Sequence, residues 1–155
     1  MAADVRTTVK TAAEGQFLVP VTISEELEQK FLKKTKSSAI KLIPVTFIVA
    51  AIVLGILFLL VYFLKILAIS TIAIFCIIFP IYGIYDAIAT SKAIKNHDYE
   101  FFYGEIAGKT DNGNYKVKGI EELVVRPLLC KKDYNAGEKA IIARLKDDLS
   151  LIVED

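Results

Sequence analysis

Leu42–Leu64 reads LIPVTFIVAAIVLGILFLLVYFL, 23 residues without a charge, and one lysine later Ile66–Tyr85 reads ILAISTIAIFCIIFPIYGIY, another 20. A bilayer core of about 30 Å takes about 20 helical residues. Two uncharged runs of this length predict a pair of transmembrane helices at about 42–63 and 67–88. Neither run has a polar face to turn toward water, which argues against a helix pair in a soluble core. The second helix is expected to continue out of the bilayer to about residue 95, giving a hairpin over 42–95. Between Lys41 and Asp86 the only charged residue is Lys65. With no ionisable group at mid-membrane depth, a proton relay or ion pathway lacks its usual chemistry.

Inside the hairpin, Ala51-x-x-x-Gly55 and Gly83-x-x-x-Ala87 are small-residue pairs that let helices approach closely. Pro44 falls in the expected first turn, where its missing N–H costs little. Pro80 lies inside the second helix and is expected to kink it by removing the donor for the Cys76 carbonyl. Tyr62 and Lys65 suit the membrane interface between the helices. Lys30, Lys33, Lys34, Lys36 and Lys41 precede the first span, Lys92 and Lys95 follow the second, and only Lys65 lies between. By the positive-inside rule both termini are expected in the cytoplasm of a multi-pass protein.

Outward from the hairpin the composition changes. Residues 1–23 read as a mobile arm that is polar and rich in small residues, with a short extended apolar segment, Phe17–Val21. Residues 24–40 read as a basic juxtamembrane helix. Thr22 with Glu25 fits a capping box, Ser24 is a competing N-cap, and Leu27, Phe31 and Thr35 share one face. The basic end beside the membrane suits an interfacial helix on anionic headgroups or a charged helix that only obeys the positive-inside rule. From Tyr99 the pattern turns to period two with turn punctuation: GKTDNGN at Gly108–Asn114, Asp133–Glu138, and Asp147-Asp148. Pro127 marks an edge or a bulge. About five short strands over 99–155 predict a small β-rich cytoplasmic domain, an SH3-like or OB-like barrel with Ile106, Val117, Ile142, Leu145 and Leu151 in its core. The fold class expected is thus an α+β membrane protein: a juxtamembrane helix, a two-helix hairpin and a small C-terminal barrel.

The helical spans, followed by a domain that ends in GEKAIIARLKDDLSLIV at Gly137–Val153, resemble small bacterial membrane proteins of the NfeD type. The shared part is the last glycine-led strand, the turn and the Leu-x-Leu pattern. The resemblance implies a membrane scaffold that associates with other membrane proteins, and it carries over no functional residue.

The chemical inventory is thin. Net charge is +1, with 19 basic and 18 acidic residues, so no global field favours nucleic acid. His97 is the only histidine, and with Asp98, Glu100 or Glu105 it makes no ordered ligand spacing, so no metal or cofactor is expected. Cys76 lies in the apolar block and Cys130 beside two lysines, and the pair is not expected to form a disulfide. No phosphate loop, nucleophile elbow or zinc-protease motif occurs. The expected role is a membrane-anchored adaptor or accessory subunit acting by protein–protein contact, not an enzyme. Its partners would be the bilayer and another membrane protein or a second copy of itself. The alternative is a small oligomeric pore or transport component.

Overall fold

The computed structural model describes residues 9, 10, 12, 13, 15, 17–64, 69–129 and 132–152. In chain order they form β1 (Leu18–Pro20), α1 (Glu25–Leu64), α2 (Ile69–Lys95), β2 (Tyr99–Lys109), β3 (Tyr115–Val117), β4 (Ile120–Leu129), β5 (Lys139–Leu145) and β6 (Asp148–Ile152). The fold is α+β, two long helices followed by a closed five-stranded barrel. The chain divides into two compact units, Met1–Lys34 with Ala93–Asp155, and Thr35–Lys92.

The first unit is the barrel. The strands run in the order β2-β3-β4-β6-β5, and β5 pairs back onto β2 to close the cylinder. All neighbours are antiparallel except β4 and β6, which run parallel with Arg126 opposite Ser150. Closure leaves β2 no free edge along Tyr99–Glu105 on the β5 side, with Phe102 opposite Ile142 and Tyr103 opposite Ile141. Ile106, Val117, Ile142 and Leu151 lie in the barrel core as expected, whereas Leu145, also buried, lies not in that core but in the cluster on the outer wall. Pro127 sits where the β4–β6 register slips, a position that tolerates a missing amide donor. The Asn112-Gly113 turn forms with Gly113 at φ 76°, and the Thr110 amide donates to the Asn114 carbonyl at 2.7 Å. The last tight turn falls one residue earlier than expected, at Lys146-Asp147 between the paired Leu145 and Asp148.

The barrel is not built from residues 99–155 alone. β1 pairs antiparallel with β2, setting Leu18 opposite Gly104, Val19 opposite Tyr103 and Pro20 opposite Phe102. Leu18 is 1 % exposed and joins Val9 and Ala12 in the cluster that contains Ile106, Tyr115, Val125 and Leu151. Val9, Ala12 and Leu18 of the expected mobile arm therefore pack into the barrel. The helix of residues 24–40 is corrected in the same way. Ser24 is its N-cap, accepting from the Leu27 amide at 3.4 Å. Its Leu27 and Phe31 are buried not against headgroups but in a second cluster on the outer wall, with Ala93, Ile141, Ala143, Leu145 and Ile152. This explains why AIIARL at Ala140–Leu145 does not alternate: every one of those side chains is buried. Ala140 and Ile142 fill the barrel, while Ile141, Ala143 and Leu145 meet the helices.

The second unit is the helix pair. α1 is one 40-residue helix, about 60 Å at 1.5 Å per residue, and not a juxtamembrane helix followed by a separate span. Pro44 is thus mid-helix, and the Ile40 carbonyl lacks its usual donor. Buried positions on α2 fall at Cys76, Pro80, Gly83, Ala87 and Thr90, spaced four and three. Among the described residues of α1 in this unit, Ala39 and Ala50 are buried. Small residues in a three-four repeat let two helices pack closely.

Candidate functional site

Most of the charged side chains belong to the barrel unit. His97 ends α2 in a left-handed conformation, φ 53°. Its amide donates to the Ile94 carbonyl at 3.2 Å, and the Asp98 amide donates to Ala93 at 2.9 Å, the double closure of a Schellman cap. This fixes the start of β2 and aims Asp98 and Glu100 at Arg144, which lies directly across the ladder from Glu100. Arg144 is 7 % exposed. Its Nε donates to Glu100 at 3.0 Å, and its Nη1 donates to the Lys146 carbonyl at 2.7 Å and lies 3.4 Å from Asp98. A buried guanidinium requires such pairing, so this cluster holds the β5–β6 corner to the helix exit.

Beside it, the Tyr99 hydroxyl donates to the Glu28 carboxylate, linking β2 to the first turns of α1. That hydrogen bond, with partial burial, raises the phenol to about 12. His97 stacks on Tyr99 at 5.9 Å, and Phe101 sits edge-on to both Tyr99 and Phe31. Two hollows flank Pro20. One of about 370 Å³ is lined by Val21, Glu28, Tyr99 and Phe101, and one of about 420 Å³ by Lys10, Asp98, Phe102 and Arg144. On the opposite rim, Lys109 bonds Asp133 at 2.7 Å, and the Tyr115 hydroxyl donates to the same carboxylate at 3.0 Å. Both bonds, the lysine's first, hold Asp133 below the usual carboxylate range.

The outer wall also carries exposed apolar side chains. Val19 is 53 % exposed and lies across the ladder from Tyr103, 41 % exposed. Phe17, 50 % exposed, packs its ring over Gly119, and Val124 is also exposed. These four are the candidate contact residues. The sequence carried a sign of it in the alternation of Phe17 and Val19, but the neighbouring Tyr103 lies 84 positions further on and only the β1–β2 pairing brings it near.

The residues expected at the helix contacts divide. A Cβ on Gly83 would stand 2.9 Å from Thr46 Oγ1, so Gly83 is at the closest approach of the pair, and Ala87 is buried along the same seam. Ala51 and Gly55 face outward, with open space around Gly55. Pro80 is buried in α2. Lys30 bridges to Glu26 at 3.0 Å, while Lys33, Lys34, Lys36, Lys41, Lys92 and Lys95 are exposed. Tyr62 is exposed beside Phe63, and Lys65 and Cys130 lie outside the described residues. Among the described residues, no three side chains of His, Cys, Asp and Glu gather as a metal site. Family models, curated proteins and solved structures give no match to this chain.

Proposed function

We propose that this protein is a membrane-anchored adaptor or accessory subunit whose barrel presents a contact surface on the cytoplasmic face. Both helices are long and apolar enough to cross a bilayer, with windows of mean hydropathy 2.9 and 1.2. Large side chains such as Phe58, Phe63, Tyr82 and Tyr85 are two-thirds exposed or nearly so along them, a surface suited to lipid and unfavourable in water. The observation that carries the topology is the mixed parentage of the barrel. Residues on both sides of the helix pair fold into one unit, which supports an even number of crossings. The lysine asymmetry then assigns that side to the cytoplasm. The insertion of β6 between β4 and β5, with one parallel pair, supports the OB-like reading of the barrel over the SH3-like one. The NfeD-type resemblance of its last hairpin agrees with a scaffold role.

The contact reading rests on Phe17, Val19, Tyr103 and Val124, apolar groups exposed on the wall of a small barrel whose interior is filled. Tagged protein is purified in mild detergent from its own membrane, with and without Val19→Asp and Tyr103→Asp. A specific co-purifying membrane protein, lost in the double variant while the barrel stays folded, is the expected result. If His97→Ala, Glu105→Ala or Asp86→Ala abolishes the cellular phenotype with partner binding intact, the adaptor reading is wrong and a chemical role must replace it.

A further inference from the structure

We infer that the split construction of the barrel is a topology checkpoint: the domain folds only in chains whose two hairpin ends lie on the same side of the membrane. The inference rests on the two-span reading above and goes beyond it, because it makes folding of the barrel conditional on correct insertion.

Packing at both faces of the barrel wall supports it. Inside, Leu18 seats opposite Gly104, where a glycine leaves room: a Cβ there would stand 3.0 Å from Leu18 Cδ2 and 2.6 Å from Ile142 Cδ1. Val9 and Ala12 enter the same cluster. Outside, Leu27 and Phe31 cover Ile141, Ala143 and Ile152. Each of these five residues precedes the first apolar run, and every partner strand follows the second. The Tyr99–Glu28 hydrogen bond and the Val21 amide donating to the Phe101 carbonyl add polar ties across the same divide. A chain with an odd number of crossings puts these two sets in different compartments. It leaves the Leu18 seat empty and Ile141, Ala143 and Ile152 facing water, a state that exposes apolar surface to proteases.

The test keeps the full chain and changes only the parity of crossings. One 20-residue Leu/Ala span with a short turn is inserted after Lys65 to give three crossings, and two such spans to give four. Vesicles are permeabilised and treated with protease, and survival of a fragment spanning 99–152 is scored. The two- and four-crossing chains are expected to protect the barrel and the three-crossing chain to lose it, as Leu18→Asp loses it in the two-crossing chain. Protection in the three-crossing chain overturns the inference, as does loss in the four-crossing chain. Alkaline extraction of the unmodified chain separates the two readings: release into the supernatant refutes the membrane anchor itself, whereas retention together with a protected three-crossing barrel refutes only the checkpoint.

Discussion

At the scale of single residues the barrel depends on a few side chains from the wrong end of the chain. Leu18 fills a fully buried position, and Leu18→Ala is expected to cost about 2–4 kcal/mol by transfer and cavity terms. Chemical denaturation in detergent, followed by near-ultraviolet circular dichroism, measures it. His97 does the opposite. It holds a left-handed cap position that glycine takes without strain, so His97→Gly should raise stability by up to about 1 kcal/mol. A lower melting temperature in that variant would mean that the His97–Tyr99 stack outweighs the backbone strain. Tyr99 sets a pH limit. Its folded pKa, about 12, lies above the phenol's ordinary 10.0, so its stabilising contribution is whole below pH 10 and is lost as pH rises toward 12. Ultraviolet titration of the wild type against Tyr99→Phe is expected to show a late phenolate step missing from the variant, and Glu28→Gln should move that step to lower pH.

At the scale of elements, the two helices make the sharpest prediction. The ideal Cβ of Gly83 lies 3.6 Å from Thr46 Cβ, within the range for a disulfide. Thr46→Cys with Gly83→Cys, on a background with Cys76→Ser and Cys130→Ser, should cross-link under mild oxidation. Gly55→Cys with Gly83→Cys should not, since Gly55 has nothing within 4 Å. The sequence could show that Ala51, Gly55, Gly83 and Ala87 are small, but not which faces meet: Ala50 is buried while its neighbour Ala51 is exposed, one step of about 100° around the helix. The strands were legible for a different reason. Asn112-Gly113, Gly137 and the polar turn after Leu145 punctuate runs of β-forming residues, and turn chemistry is local. β1 was not legible as a barrel strand, because three residues carry little pattern and their partner lies across the whole hairpin.

At the scale of the molecule, covalent order and spatial order differ. The chain begins one wall of a barrel, runs through two apolar helices, and returns to complete it. Composition and period revealed the apolar helices and the C-terminal strands. They could not reveal that Leu27 and Phe31 close the outer wall, since an apolar stripe on a basic helix fits a headgroup surface as well as a protein one. The account predicts that residues 99–155 made alone lack both pieces of that packing and fail to give a cooperative thermal transition. Adding a peptide of residues 1–34 in trans should restore it in part.

The most direct test of the central claim is one cross-link in the full chain, in its own membrane. Val19 and Tyr103 face each other across the β1–β2 ladder. With Val19→Cys and Tyr103→Cys on the same serine background, mild oxidation should join the two sites. A protease cut engineered between the helices should then leave two fragments linked until a reductant is added. Fragments that separate without reductant, in protein shown to be folded, would place residues 17–21 away from the barrel and contradict the account.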